Sequence, residues 1–311
     1  MRVALLGRSQ LALRSGEALL SAGHEIALVA TAKPAEYYKA GPDEFRAFAG
    51  TAGAPFWFSP ALRHPDVVAR LAAVEPEVAV SVNWPTIIGR EAIAVFRHGI
   101  LNAHAGDLPR YRGNACPNWA ILNGEETIGL CIHQMEPDEV DSGPVLLRDR
   151  LRLEPTTYIG DVLEWLERRI PELFLCAVAG LETGQLVPDR SRMDPAASLR
   201  CYPRRPEDAR IDWRHPAVLV HRLVRASSRP FAGAFSFLEG ERRVTIWRAE
   251  IYPHPGAFLA VPGQVLMRAD GDPVIACGDG CLRLTEMAVD GADSDGAARQ
   301  IVGASLRQRL V

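Results

Sequence analysis

The sequence predicts an α/β fold, a doubly wound and mostly parallel Rossmann-like sheet, followed by a small OB-like β-barrel domain. Three observations predict it. Apolar strand-like runs alternate with helical spacing through the first half of the chain. A stretch rich in Pro, Arg and Asp, "PDRSRMDPAASLRCYPRRPEDARIDWRHP", then interrupts the alternation. Beyond it come short alternating segments divided by glycine turns. A boundary inside the interrupting stretch gives a first domain over residues 1–200 and a second over 205–311.

Taken in order, "RVALLG" reads as a buried strand closed by Gly7, and "GEALLSAGH" carries helical apolar spacing that stops at Gly23. "EIALVAT" is the next strand, which completes a βαβ opening. "FRAFAGTAG" reads as helix, "PFWFSP" as a short strand, and "PDVVARLAAVEP" as an amphipathic helix with Pro just inside its start. "EVAVSVNW" is apolar on both faces, as a strand inside a parallel sheet must be. A short helix, "AIAVFRHG", leads into the strand "GILNAH". "TTYIGDVLEWLERRIPELFLCAVAGLETG" holds one or two helices that close the first domain. In the second, "AVLVHRLVRASS" is a helix, and "EGE", "DGD" and "GDG" mark turns between strands.

The chain has 311 residues, 48% hydrophobic and 23% charged, and a formal net charge of -3. That balance gives no overall attraction to a polyanion, so nucleic acid is not the expected partner. Six scattered cysteines form no paired framework, and no apolar run approaches the span of about 20 residues that crosses a bilayer. These features, with no signal-peptide pattern at the start, predict a cytoplasmic protein. Gly7 lacks the partner glycines of a dinucleotide fingerprint, and no phosphate-binding loop signature occurs.

The strand "GILNAH" ends in two polar residues, Asn102 and His104, spaced so that both project to one face. Ligands on such sheets bind beyond the carboxyl ends of the strands. Downstream, Asp141 lies between an acidic loop and a Ser-Gly turn, within the sequence "MEPDEVDSGPVLL". An amide, an imidazole and a carboxylate are what acyl transfer to an amine requires: a donor for the developing oxyanion, a proton-handling group, and an anion to orient it. Cys116 has no thiolate-activating neighbour in sequence, and His133, in "CIH", reads as a packed or surface strand residue.

The stretch "LNAHAGDLPRYRGNACPNWAILNGEETIGLCIHQMEPDEVDSG" resembles the signature of the folate-dependent formyltransferases, Asn-x-His-x-x-x-x-Pro-x-x-(Arg/Lys)-Gly followed by Asp-x-Gly. "EALLSAGHEIALVAT", "AGAPFWFSP", "RRPEDARIDWRHPA" and "RPFAGAFSFL" extend the likeness over nearly the whole chain. The family includes methionyl-tRNA formyltransferase and, more similar here, the formyltransferase domain acting on UDP-4-amino-4-deoxy-L-arabinose. The resemblance implies transfer of a formyl group from N10-formyltetrahydrofolate to a primary amine through a tetrahedral intermediate, with Asn102, His104 and Asp141 as catalytic residues and no metal. It implies that the pterin lies against Trp84, Thr86, Ile87 and Ile88 and against Glu139, Val140 and Asp141. Leu108, Pro109, Tyr111, Arg112 and Gly113 would face the acceptor.

The resemblance further implies that the anion at Asp141 raises the pKa of His104. Where the family has Ser-Leu-Leu-Pro after the histidine, this chain has Gly106, Asp107, Leu108 and Pro109, which places a carboxylate beside the site. Asp107 is therefore the alternative if Asp141 does not couple to His104. The loop from Met135 to Asp141 is one residue longer than the family pattern. The expected acceptor is a nucleotide-linked amino sugar, with N5-hydroxyornithine and methionyl-tRNA as alternatives. The segment "TAKPAEYYKAGPDEFRAFAG" balances its basic residues with acids and so does not suit tRNA. A homodimer is compatible with this reading, and a folate- or nucleotide-sugar-sensing protein is the non-enzymatic alternative.

Overall fold

The computed structural model describes residues 1–188 and 194–311. It divides into two compact units, one of Met1–Cys116, Thr127–Arg152 and Leu163–Tyr202, the other of Pro117–Glu126, Leu153–Val162 and Pro203–Val311. Two short segments that precede residue 163 therefore belong with the C-terminal unit.

The chain begins β1 (Arg2–Gly7), α1 (Gln10–Ser21), β2 (Glu25–Thr31), α2 (Pro42–Ala52), β3 (Phe56–Phe58), α3 (Pro65–Ala72), β4 (Val78–Val82), α4 (Arg90–Ala94) and β5 (Ile100–His104). It continues β6 (Arg112–Gly113), α5 (Cys116–Asn123), β7 (Thr127–Gln134), β8 (Val145–Arg152), α6 (Ile159–Glu182) and β9 (Arg200–Cys201). The main sheet of the first unit has the order β3-β2-β1-β4-β5-β7-β8. β1 to β5 are mutually parallel, whereas β7 and β8 run antiparallel at one edge. All five residues of β4 are buried, as its doubly apolar sequence requires. α1 is longer than "GEALLSAGH" suggests, because its first turns also pack inward: Ser15 is buried with its hydroxyl on the Leu11 carbonyl at 2.7 Å. Gly16 lets the helix lie close, since a side-chain carbon there would press on Leu5 and Phe48. α6 is one helix with Pro171 inside it.

The C-terminal unit follows with α7 (Ala217–Ser227), β10 (Ala234–Leu238), β11 (Arg242–Ile251), β12 (Val265–Ala269), β13 (Asp272–Ala276), β14 (Cys281–Val289) and α8 (Asp295–Val302). Its five strands form an antiparallel sheet in the order β10-β11-β14-β13-β12. The end of the chain closes the two edges, because Leu310 bridges Leu238 while Arg309 bridges Gln264. Val220 and Val224 of α7 enter the barrel core with Ile246, Leu282 and Leu284. The "DGD" turn joins β12 to β13 through Asp270 and Gly271, with φ of 52° and 88°, the left-handed pair that a two-residue hairpin needs.

Candidate active site

The carboxyl end of β5 brings the site together. β5 pairs antiparallel with β7, setting Asn102 opposite His133 and His104 opposite Cys131. Residues directly opposed across such a pair share a face, so Asn102 and His133 project side by side. Asp141 comes from the loop between β7 and β8, where its φ of 51° turns the chain back toward β5. The carboxylate meets three groups. Its Oδ2 lies 3.4 Å from His104 Nδ1 and accepts the Gly113 N–H at 2.9 Å. Its Oδ1 lies 3.4 Å from both His133 Nε2 and Asn102 Nδ2. Asn102 Nδ2 is 3.1 Å from His133 Nε2, and His133 Nδ1 is 2.9 Å from the Gln134 carbonyl.

Burial acts on the two central groups differently. For Asp141, burial alone would raise the carboxyl, but the His104 imidazole and the Gly113 N–H overcome it. The group is held well below the usual carboxylate range. For His104, 7% exposed, burial prevails and lowers the imidazole, while Asp141 and the Tyr111 carbonyl pull upward without overcoming it. The expectation that Asp141 leaves His104 raised is thus corrected: the attraction exists, but desolvation exceeds it. His104 Nε2 donates to the Tyr111 carbonyl at 2.6 Å. Tyr111 is buried with a φ of 55°, and Gly106 leaves the room, since a Cβ there would press on both the Tyr111 carbonyl and His104 Nε2.

The remaining expected residues fall into two groups. Leu108 is fully buried with Cys131 and Val145, so its side chain is core and the acceptor role expected for it is replaced by packing. Pro109 is half-buried beside it. Arg112 reaches the Val140 carbonyl through Nε at 3.1 Å and through a terminal nitrogen at 2.8 Å, with Ser198 Oγ at 3.3 Å. It therefore ties the β7–β8 loop to the turn before α5. In the segment after β4, Ile88 is buried in the sheet core and Trp84 packs against the same cluster, donating its Nε1–H to Thr86 Oγ1 at 3.1 Å. Thr86 and Ile87 are exposed, Ile87 by 44%, and Glu139 is exposed on the opposite loop.

Asp107 does not reach the catalytic cluster. It pairs with Arg148 and with Arg150, the latter at 3.2 Å, both on β8, and Arg148 also donates to the Leu108 carbonyl at 2.6 Å. Its standing as an alternative to Asp141 is overturned by these two guanidinium partners. Burial pushes the Cys116 thiol far up, with Cys201 adding to the rise, so it is no nucleophile.

Two functional candidates were not legible in the sequence. His133 is 1% exposed yet touches Asn102 and Asp141, a role set by cross-strand register. Arg200, exposed on β9, pairs in register with Arg112 and lays its guanidinium against Gly113, within electrostatic reach of His104. Among the described residues, no carboxylate forms an ion pair with it.

Comparison with known proteins adds to this geometry. A family model described as formyl transferase matches residues 1–175, and one described as formyl transferase, C-terminal domain, matches residues 204–298. HypX from Aquifex aeolicus, solved in complex with tetrahydrofolic acid, is 21% identical with a TM-score of 0.62. The alignment covers 92% of this chain and 44% of HypX, so the chain spans less than half of that protein. An N-formyltransferase from Helicobacter canadensis, solved with folinic acid and dTDP-3-aminofucose, is 14% identical with a TM-score of 0.64, covering 93% of this chain and 100% of the other. Glycinamide ribonucleotide transformylase 1 from Symbiobacterium toebii is 20% identical with a TM-score of 0.51, covering 61% and 91%. At these identities the likeness is one of fold.

Proposed function

The chain belongs to the formyl transferase family, and from that premise we propose that it carries a formyl group from N10-formyltetrahydrofolate to the amine of a nucleotide-linked sugar. The observation that carries the reading is the meeting of Asn102, His104 and Asp141 within 3.4 Å at the end of β5. The folate supplies an activated formyl carbon when bound. The residues present suit it: Trp84 and Ile88 anchor the 84–88 segment in the core and leave Thr86 and Ile87 exposed for a flat ring. His104 Nε2–H donates to an oxygen acceptor, the Tyr111 carbonyl, and would donate in the same way to the formyl oxygen as charge develops there. Asp141 keeps the imidazole oriented, and the proton of the attacking nitrogen passes, directly or through a water held by Asp141, to the departing N10 as the carbon–nitrogen bond there breaks.

The acceptor is read from Arg200 and from the fold neighbour solved with a dTDP-amino sugar. A guanidinium beside Gly113 with no carboxylate partner among the described residues suits a phosphate, and Tyr202, two residues on and 68% exposed, offers a ring for a base. Tetrahydrofolate release should require an amine, and a nucleotide-linked amino sugar should outperform N5-hydroxyornithine, with methionyl-tRNA inert. Arg200→Ala should raise the acceptor KM by roughly tenfold, the scale of one lost charged contact, while 5-formyltetrahydrofolate binding measured by calorimetry is unchanged. Turnover with hydroxyornithine alone would reject the sugar, and release of tetrahydrofolate with water alone would make the protein a hydrolase.

A further inference from the structure

The imidazole of His133 determines which end of the Asn102 amide faces the cleft. His133 is 1% exposed, so its two nitrogens must find partners within the protein. Nδ1 lies 2.9 Å from the Gln134 carbonyl, which can only accept, so Nδ1 carries the proton. A neutral imidazole then has a lone pair on Nε2, which faces Asp141 Oδ1 at 3.4 Å and Asn102 Nδ2 at 3.1 Å, and of these two only the amide nitrogen can donate to it. Asn102 Nδ2, at 3.1 Å, is the donor in place. The same Nδ2 lies 3.4 Å from Asp141 Oδ1, so the amide nitrogen fills the gap between a lone pair and an anion. Flipping the amide would set Oδ1 against both, two acceptor–acceptor contacts in the place of a donor. Among the described residues, Asn102 Oδ1 has no protein partner, and it is not sealed from solvent.

We propose that His133 is a positioning residue that locks Asn102 with its amide nitrogen inward and its carbonyl oxygen toward the acceptor. This rests on the formyl-transfer reading. An outward Oδ1 accepts a hydrogen bond from the attacking amine and so aims the nitrogen lone pair at the formyl carbon. The role differs from the oxyanion donation expected of Asn102 from sequence, which leaves His104 Nε2–H as the donor to the oxyanion.

The first test needs no turnover. Protein labelled with 15N-histidine, examined by long-range proton–nitrogen correlation near neutral pH, should show His133 with Nδ1 protonated and Nε2 bare. Its signals are assigned by their loss in His133→Gln. An Nε2–H tautomer overturns the proposal. The second test is kinetic. His133→Leu fills the volume but offers no acceptor, and should lower kcat by about 10-fold to 100-fold, the scale of a misaimed reacting group, with 5-formyltetrahydrofolate affinity retained. His133→Gln can place an amide oxygen at the position of Nε2 and should recover most of that loss, and in an Asn102→Ala background His133→Leu should cost nothing further. Equal kcat for the Leu and Gln variants overturns the proposal. An unmodified protein without formyl transfer would reject the reaction class and leave the tautomer prediction to stand or fall alone.

Discussion

Asp141 and His104 sit in the same desolvated place, yet one stays charged and the other is discouraged from charging, and this gives the protein an acid sensitivity with a definite sign. His104 is lowered by burial, so between its lowered value and about 6.5 the unfolded chain binds a proton that the folded chain refuses. Stability therefore falls as pH drops from about 6.5 into that window. His221 in the C-terminal unit, pushed down to about 4 by burial, acts in the same direction. The Asp141 contribution is full above its unfolded value of about 3.9 and is lost as pH falls toward its lowered folded value. Urea midpoints measured at about pH 7.5 and about pH 5 should decrease for the unmodified protein and decrease less for His104→Gln, which leaves the His221 share. Equal decreases in the two proteins would show that His104 does not titrate below its ordinary value. At this scale the sequence disclosed Asn102 and His104, because two polar side chains two apart at the end of an apolar strand have one place to go. It did not disclose His133, since nothing in "CIH" tells which residue of another strand will lie opposite.

The elements that position these residues were legible in proportion to how regular their apolar spacing is. β1 through β5 announce themselves, and β4, buried throughout, reads as a central parallel strand. α5 did not, because Pro117 and the preceding Asn114 and Ala115 hide its start, and its apolar residues Trp119, Ala120, Ile121 and Leu122 run together and mark no single face. α8 is announced only by its cap, Ser294 Oγ accepting the Ala297 N–H at 3.2 Å. The β7–β8 edge matters most for function, since its loop carries Asp141, while β8 supplies Arg148 and Arg150 to hold Asp107. Those contacts make Asp107 a strut between the loop after β5 and the sheet edge. Asp107→Asn should therefore lower stability by about 1–3 kcal/mol, because two guanidinium groups lose their carboxylate, with kcat changed only a few-fold. Asp141→Asn should instead lose about 10²-fold or more in kcat while the protein stays folded and binds folate. Thermal melts and steady-state assays on both variants decide it: a hundredfold turnover loss confined to Asp107→Asn would exchange the two roles.

On the scale of the molecule, the two units are built by different rules, a mostly parallel sheet whose order departs from sequence order and an antiparallel sheet that the last residues of the chain bring to closure. The alternating segments and glycine turns foretold that second sheet. The closure by Leu310 and Arg309 was not foretold, because it depends on single bridges formed across the whole unit. Charge is the other property that belongs to the whole chain. With 35 basic and 38 acidic side chains, the protein has no general field to gather a polyanion, so acceptor binding must rest on local contacts such as Arg200. A protein that grips a nucleic acid through 6–10 phosphates loses about 10³-fold to 10⁵-fold in affinity between roughly 50 and 200 mM salt. A diphosphate met by one or two cations cannot behave that way, because few counterions are released and each contact is merely screened. The acceptor kcat/KM should therefore fall by less than about tenfold over that salt range, and Arg200→Ala should flatten even this dependence. A loss of about a thousandfold would identify a nucleic acid as the acceptor. A fall that Arg200→Ala leaves untouched would place the phosphate somewhere other than beside Gly113.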